Sequence, residues 1–563
     1  MCTQRTFSLL SCAVLLVVGT AIVYGQVRTS PLVTAARDGD IEAVRELIAN
    51  GDNVNTPGPD GSTALLWATY YSDPEMARTL VDAGADPNAA NSYGIAPLLQ
   101  ASQTGDAAMI GLLIEAGAAT SSSHPDSVTP LMAASRSGNI EAVRMLLDAG
   151  ADPNGMETYQ EQTALMWAAA EGHADIVGML LGRGADPNRQ ARLTTIDERK
   201  HADHATGGFT ALHFAVRNGH ENAVRALVAG GADMTLTNGD GATPTVIAVI
   251  NDRFDLARTL VDLGADPNDG ALYFAVDMHD ATTDMRAHDG SRLRADHPNT
   301  LTALDLIELL LERGADPNKA FVGRLHSTTL CCAPEINSSP FFRAAVAADV
   351  DVLRMMLDHG AEVDWTPKRP EDDADAGGGG RGGNVGRTPV MVALNGGRGA
   401  PFAAGPGFTR LGPPPFREAA NREPLYAVTV LLDAGADPNV TTPDGATPLH
   451  MAVDERQVAI IRKLVEAGAG LDAVNEDNLT PLLLAELPEP PPPEGNNTDD
   501  RTYRRPQDSR EDVIATLREL MGLGPDEPAP VPPPLPEEPE AAGETDGSDA
   551  SDSGDNTEEP VVQ

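Results

Sequence analysis

The stretch TPLMAASRSGNIEAVRMLLDAGADPN, from Thr129 to Asn154, decides how this chain folds. Its closing letters, GADP, return with small changes at ten glycines, and most uninterrupted steps between these glycines are about 33 residues. A constant step of this length is typical of a repeat protein, in which one small helical unit is copied along the chain. The glycines are Gly84, Gly117, Gly150, Gly184, Gly231, Gly264, Gly314, Gly360, Gly435 and Gly468.

Two short helices are expected within each unit. Thr129 can cap the first helix, and Pro130 loses no hydrogen bond there, because the first amides of a helix have no intrahelical partner. Gly138 and Gly150 supply the permissive backbone that ends each helix. One unit buries too little apolar surface to fold alone, so neighbouring units must stack into a continuous core. The facing apolar residues are Leu131, Ala133 and Ala134 on the first helix and Val143, Leu146 and Leu147 on the second.

The same motif begins further copies of the repeat at Thr163-Ala164-Leu165, Thr210-Ala211-Leu212-His213 and Thr447-Pro448-Leu449-His450. On these residues the chain resembles the ankyrin repeat family. The resemblance implies an all-α fold, an ankyrin repeat solenoid of about twelve helix-turn-helix repeats with β-hairpin loops. We place the repeats within residues 26–524 and predict that the Pro-rich and acidic tail at residues 525–563 is disordered.

Six insertions interrupt the array and are expected to be mobile or extended. Those near residues 189–206, 319–338 and 365–386 lengthen hairpins between repeats, whereas those near 279–300, 395–422 and 488–508 separate the two helices of one repeat. Cys331 and Cys332 stand side by side in one insertion. Two cysteines are too few for a disulfide framework, which leaves a vicinal disulfide, a link to another chain or a pair of thiols as alternatives.

The resemblance also implies a function, which is to bind another protein without catalysis. In the family, partners usually touch the hairpin tips and two exposed positions just after the Ala-Ala of each first helix, which line the concave side. Tyr70 and Tyr71 carry most weight, since exposed aromatic residues are enriched in binding hot spots. We expect a monomer that binds a protein partner and needs no cofactor. The matched positions are Arg37, Asp38, Tyr70, Tyr71, Gln103, Thr104, Ser135, Arg136, Ala170, Glu171, Arg217, Asn218, Ile250, Asn251, Asp454 and Glu455.

Acidic residues dominate the composition, with 83 Asp and Glu against 40 Lys and Arg and a formal net charge of −43. Part of this charge belongs to the Asp of each Gly-Ala-Asp-Pro, which favours a spread-out, solvated acidic surface. Nucleic acid is a poor partner, because phosphate binding needs a basic stripe and the sequence has none. One alternative function is therefore a structural spacer at the cell envelope that the acidic tail keeps solvated.

A second alternative is a metal-binding module or a metal-dependent hydrolase. Imidazole and carboxylate groups can bind a divalent metal, and two polar insertions contain both. Their spacing matches no defined metal site, and the sequence contains none of the common catalytic motifs. We therefore predict no enzyme and no metal site. The residues concerned are His201, Asp203 and His204 in one insertion, and His279, Asp280, Asp284, His288, Asp289 and His297 in the other.

Several large side chains within the repeats have a structural interpretation. His213 and His450 belong to the motif that begins their repeats. In the family, this imidazole ties neighbouring loops together. Trp67, Trp167 and Phe214 occupy equivalent places in three first helices. We expect these three rings to lie in the core.

Export is predicted from residues 1–25. Arg5 precedes an apolar run from Phe7 to Tyr24, and Val23-Tyr24-Gly25 has small residues where a signal peptidase cleaves. We expect a secreted or periplasmic protein that begins at or near Gln26, with an uncleaved membrane anchor as the alternative. Amino-terminal sequencing of protein from its native host checks this. An intact amino terminus on protein in the cytosol would contradict it.

Overall fold

The computed structural model describes residues 30–121, 124, 126–194, 206–280, 299–321, 338–367, 386–394, 423–488 and 507–533. The predicted signal peptide at residues 1–25, the insertion at 395–422 and the pair Cys331 and Cys332 lie outside these ranges. The described residues belong to two compact units, of which the first ends at Val440 and the second begins at Thr441.

The described ranges contain twenty-four helices, which pair consecutively. The first helices of the pairs are α1 (Pro31–Asp38), α3 (Ala64–Tyr70), α5 (Pro97–Thr104), α7 (Pro130–Ser137), α9 (Ala164–Glu171), α11 (Ala211–Asn218), α13 (Pro244–Ile250), α15 (Ala271–Asp280), α17 (Pro340–Ala347), α19 (Pro389–Leu394), α21 (Pro448–Asp454) and α23 (Pro481–Glu486). The second helices are α2 (Ile41–Ala49), α4 (Pro74–Asp82), α6 (Ala107–Glu115), α8 (Ile140–Asp148), α10 (Ala174–Gly182), α12 (Glu221–Ala229), α14 (Phe254–Asp262), α16 (Ala303–Glu312), α18 (Val350–Asp358), α20 (Pro424–Asp433), α22 (Val458–Glu466) and α24 (Arg510–Met521).

Stacking of these pairs gives the all-α solenoid that the sequence predicts. In the first unit, each first helix packs on the next first helix from α1 to α19. The second helices pack on one another from α2 to α12 and again from α14 to α20. In the second unit, α21 packs on α23 and α22 on α24. Among the helices of the described ranges, none combines the length and the apolar character needed to cross a bilayer.

The helices begin and end as the local sequence dictates. Thr129 Oγ1 accepts a hydrogen bond from the Met132 amide at the start of α7, and this cap satisfies one of the free amides of the first turn. After α8, Gly150 has φ +87°, a left-handed conformation that is cheap only for glycine. It lets the Ala151 amide reach back to the Leu146 carbonyl at 3.0 Å. The Gly-Ala-Asp-Pro motif therefore ends the second helix of a repeat.

His213 links its repeat to the next hairpin. The Thr210 amide donates to Nδ1 of His213, so Nε2 carries the proton and donates to the Ala242 carbonyl at 3.2 Å. The ring is buried, and desolvation lowers the pKa of His213 to about 4. His450 has the same arrangement in the second unit, where Nε2 donates to the Leu479 carbonyl at 3.0 Å. Both imidazoles have the loop-tying role that the resemblance implies.

The Asn at the end of the Gly-Ala-Asp-Pro-Asn motif bridges successive repeats. Asn154 Nδ2 donates to the Gly184 carbonyl at 2.9 Å, and Asn154 Oδ1 accepts from the Asp186 amide at 2.8 Å. Asp152 holds this Asn in place, since its carboxylate accepts from the Asn154 amide at 2.9 Å. One amide side chain thus pairs a free carbonyl and a free amide of the next repeat. The same two-bond bridge is made by Asn55, Asn88, Asn188, Asn268 and Asn318.

At one junction an aspartate replaces the bridging Asn. Both carboxylate oxygens of Asp364 lie 3.3 Å from the Asp437 amide nitrogen. An ionised carboxylate has no hydrogen, so it cannot supply the second bond of the bridge. Burial raises the pKa of Asp364, and the nearby Asp437 carboxylate acts in the same direction. This junction is therefore weaker at neutral pH than its neighbours.

The hairpins between repeats differ in length. The first hairpin insertion carries a short antiparallel ladder, β1 (Leu193–Thr194) with β2 (Thr206–Gly207). The opposite case lies between α14 and α15, where residues 269–270 are all that separates Asn268 from the next helix. Residues 89–96 fill the same place after Asn88. The repeat that begins with α15 therefore lacks a hairpin, which the sequence analysis did not recognise.

One sequence expectation needs correction. The sequence predicts a loop insertion at His279, but His279 belongs to α15, which runs to Asp280. Its Nδ1 lies 2.6 Å from Oδ2 of the buried Asp349 at the start of α18, and this contact anchors the end of the helix.

The predicted tail begins at residue 525, and its described residues, 525–533, contact α24. Arg518 donates to the Glu527 carbonyl at 2.6 Å, which fixes the chain there.

Removal of one bridging Asn should open its junction locally. Asn154→Ala loses both bonds, and each exposed hydrogen bond contributes about 1 kcal/mol. The two bonds together contribute about 2 kcal/mol, so we expect hydrogen–deuterium exchange at the Asp186 amide to speed up by roughly thirtyfold. Asn154→Asp keeps the acceptor and loses the donor, so its effect should be intermediate. Unchanged exchange at Asp186 in both variants would show that the bridge contributes nothing.

Asp364→Asn should strengthen its junction in a pH-dependent way. A carboxyl group whose pKa is raised by folding stabilises the folded state below that pKa and costs stability as the pH rises through it. The variant should therefore protect the Asp437 amide more than the wild type does at pH 7, and the gain should shrink towards pH 4. Asn318→Asp is the reverse change and should reduce protection of the Glu362 amide. A gain that does not vary with pH would exclude the carboxylate as its cause.

Candidate protein-binding surface

A row of side chains follows the last buried turn of successive first helices in the first unit. We call these residues the first-helix row: Arg37, Tyr70, Gln103, Arg136, Ala170, Arg217 and Ile250. All are exposed except Ala170 and Ile250, which are half-buried. The residues that follow them are Asp38, Tyr71, Thr104, Ser137, Glu171, Asn218 and Asn251, of which Asn251 alone is half-buried. These positions are accessible because the helix turns them away from the stack.

Ser135 corrects the predicted site. It was matched to the exposed positions, but it is fully buried, and its Oγ has no hydrogen-bond partner in the structure. In register, Ser135 corresponds to Ala36 of α1, which is also buried, and Arg136 corresponds to Arg37. The second residue of the exposed pair in α7 is therefore Ser137. A serine in place of the second alanine had shifted the match by one residue.

Tyr70 and Tyr71 form an exposed aromatic cluster with Trp67. Their exposed fractions are 56% and 53%. The two tyrosine rings meet edge to face with centroids 5.1 Å apart, and the Trp67 ring stacks on Tyr71 at 6.0 Å. Such contacts hold the tyrosines in place before any partner arrives. Trp67 is half-buried, so it does not lie fully in the core as the sequence predicts.

Trp167 and Phe214 occupy the place of Trp67 in their own helices. Phe214 is buried, as expected, whereas Trp167 is half-buried and donates from Nε1 to the Gln162 side chain at 2.8 Å. The Arg136 guanidinium lies 5.7 Å from the Trp167 ring centroid and 3.5 Å from the Glu171 carboxylate. Arg136 and Glu171 therefore form an ion pair between two neighbouring repeats.

The hairpin tips add two aromatic residues that the sequence analysis missed. Tyr93 and Tyr159 are 69% and 72% exposed, more than any tyrosine of the helices. Tips of successive hairpins are joined by main-chain bonds, such as the 2.9 Å bond from the Ser92 amide to the Asp60 carbonyl. An aromatic residue between turn-forming residues, as in Asn91-Ser92-Tyr93-Gly94, was the available signal.

A pocket of about 250 Å³ lies where the missing hairpin would stand. Asp269, Tyr273 and Phe321 line it. Thr243 Oγ1 donates to Asp269 at 2.6 Å and the Ala271 amide donates at 3.0 Å, so this carboxylate is already satisfied. Burial raises the pKa of Asp269. The arrangement replaces the hairpin with a short polar turn that holds α15 against the preceding repeat.

The described residues hold no group of three or more potential metal ligands. His201, Asp203, His204, Asp284, His288, Asp289 and His297 lie outside the described ranges. Within them, His279 contacts Asp349 as given above. The metal-site alternative therefore keeps only candidates that the structure does not describe.

Comparison with known proteins agrees with this architecture. The family model for ankyrin repeats, which describes three copies, matches residues 8–91, 98–191, 193–271 and 416–487, more than half of the chain. Among solved structures, the human ASB11 ankyrin repeat domain is 26% identical, with a TM-score of 0.35 over 42% of this chain and 97% of that one. A search of curated proteins finds no match. The repeated helix pairs, their capping residues and the family match together establish that this chain belongs to the ankyrin repeat family.

Proposed function

We propose that this chain is a non-enzymatic scaffold that binds another protein through the first-helix row, with Tyr70 and Tyr71 at the centre of the contact. Ankyrin repeats are generally protein–protein interaction modules. The observation that carries the proposal is the aromatic cluster of Trp67, Tyr70 and Tyr71, which is exposed and already ordered by ring contacts. A pre-ordered aromatic surface loses little entropy on binding.

The regular spacing of the first five repeats supports the same location. From α1 to α10 the helix pairs follow one another without a long insertion. Bridging side chains such as Asn55 and Asn88 tie these repeats together. The exposed positions of α1, α3, α5, α7 and α9 are therefore held at fixed spacing, as a pre-organised binding surface requires.

We also propose that the protein acts as a monomer in a secreted or periplasmic setting. The support is the layout of Arg5, the apolar run and Val23-Tyr24-Gly25. The acidic composition suits such a protein, because a large net charge keeps it soluble and separate from its own copies.

Replacement of both tyrosines tests the proposed contact. Tyr70→Ala with Tyr71→Ala removes exposed ring surface and no fully buried side chain. Partner binding should weaken by about 2 kcal/mol or more, the range of a hot spot, while the melting temperature changes little. The partner is first identified by capture on wild-type protein, and its affinity is then measured by titration.

Tyr426→Ala is the matched control. Tyr426 is 54% exposed but lies on α20, a second helix outside the first-helix row. A partner that tolerates Tyr426→Ala and is lost by the double variant supports the proposal. Equal affinity for the wild type and the double variant would move the contact elsewhere, and a large drop in melting temperature would show that the tyrosines are structural.

A further inference from the structure

Arg217 of the first-helix row is held by two phenylalanine rings. Its guanidinium carbon lies 5.3 Å from the Phe209 centroid and 5.2 Å from the Phe214 centroid. Phe209 comes from the hairpin before α11 and Phe214 from α11 itself, and their rings pack at 5.4 Å. Contact with both rings fixes a side chain that is otherwise long and mobile.

The Arg217 guanidinium has no hydrogen-bond or ion-pair partner in the described structure. Several other arginines of the first unit are paired closely, for example Arg45 with Glu75 at 2.6 Å and Arg313 with Asp262 at 2.7 Å. In a chain with 83 acidic and 40 basic residues, an unpaired guanidinium on a surface row is notable. Desolvation by the rings lowers the pKa of Arg217, but an arginine stays protonated at neutral pH.

Arg253 places a second guanidinium against the main chain of Arg217. Its Nε donates to the Arg217 carbonyl at 3.0 Å. Arg253 stands at the N-cap of α14 and caps it with no side-chain bond, whereas Asp40, Asp73 and Asp106 cap their second helices. A cation at the positive end of a helix is unfavourable unless an anion joins it. The nearby Asp252 carboxylate stabilises the charged form of Arg253.

We propose that these four residues, Phe209, Phe214, Arg217 and Arg253, which we call the Arg217 patch, bind an acidic peptide segment of the protein partner. A carboxylate of that segment would accept hydrogen bonds from the planar fork of Arg217. An apolar neighbour in the segment would cover the exposed edge of the half-buried Phe209 ring. This inference rests on the proposed function, because the segment would lie along the same first-helix row.

The large negative charge of the chain does not oppose this contact at close range. At physiological ionic strength the Debye length is about 8 Å, so exposed charges farther away are largely screened. The charged groups next to the patch are the two arginines, Asp252 beside Arg253, and Glu171 on the neighbouring helix, which is paired with Arg136. The local charge therefore favours an acidic ligand although the whole chain is acidic.

The test is selection of a random peptide library on the full chain and, in parallel, on Arg217→Gln. Peptides selected by the wild type should be enriched in Asp and Glu next to an apolar residue. One such peptide is then synthesised with and without its carboxylate, by Glu→Gln or Asp→Asn. Loss of a charge-assisted hydrogen bond should weaken binding about tenfold for either the protein or the peptide change. Both changes together should cost little more than one.

Arg78→Gln is the control, because Arg78 is an exposed arginine on α4, away from the row. Arg217→Lys tests the role of the fork, and it should recover less than the full affinity. Thermal melting of each variant shows whether the fold is retained. Peptides without acidic residues, or acidic peptides that bind Arg217→Gln as well as the wild type, would overturn the inference.

The result also separates this inference from the proposed function. Peptides that depend on Tyr70 and Tyr71 but are indifferent to Arg217→Gln would support the binding surface and refute the Arg217 patch. Peptides that are lost by Arg217→Gln and kept by the double tyrosine variant would support the patch and refute the central role of the tyrosines.

Discussion

The two-bond bridge that an Asn side chain makes at six junctions of the described chain is the constraint on which the array depends. Each repeat has a thin core of alanine and leucine, so its stability comes from the neighbours on which it stacks. Stacking leaves a carbonyl and an amide at the start of every hairpin, and Asn154 satisfies both for the repeat that follows it. Because each bridge is exposed and contributes little alone, the array is stabilised by their repetition.

Local features of this fold could be predicted from the sequence, because they depend on neighbouring residues. Thr129 caps its helix and Gly150 ends the next one as the wording indicates. The exposure of the first-helix row could be predicted, since the helical period sets which residues face away from the stack. The prediction that Ser135 is exposed was wrong, because one serine in place of alanine shifted the match by one residue. The contact of Arg217 with Phe209 was not predictable, because it joins a hairpin to a helix across a turn whose geometry the sequence does not specify.

The first-helix row combines two kinds of chemistry on one unit. Aromatic surface dominates at Tyr70 and Tyr71, while Arg136 and Arg217 bring positive charge to later repeats. First helices that pack directly lie about 8–10 Å apart, so four steps separate α3 from α11 by about 32–40 Å. A partner that contacts both regions must therefore span this distance.

The two half-buried tryptophans of the row have an optical consequence. The chain has three tryptophans, and Trp67 and Trp167 lie at equivalent places beside the proposed contact, while Trp365 packs against Phe342 outside it. Indole fluorescence shifts to shorter wavelength when water leaves the ring. Occupation of the row would therefore change the intrinsic emission of two fluorophores against one constant background. The protein thus carries its own reporter of occupancy, and no dye needs to be attached to the surface.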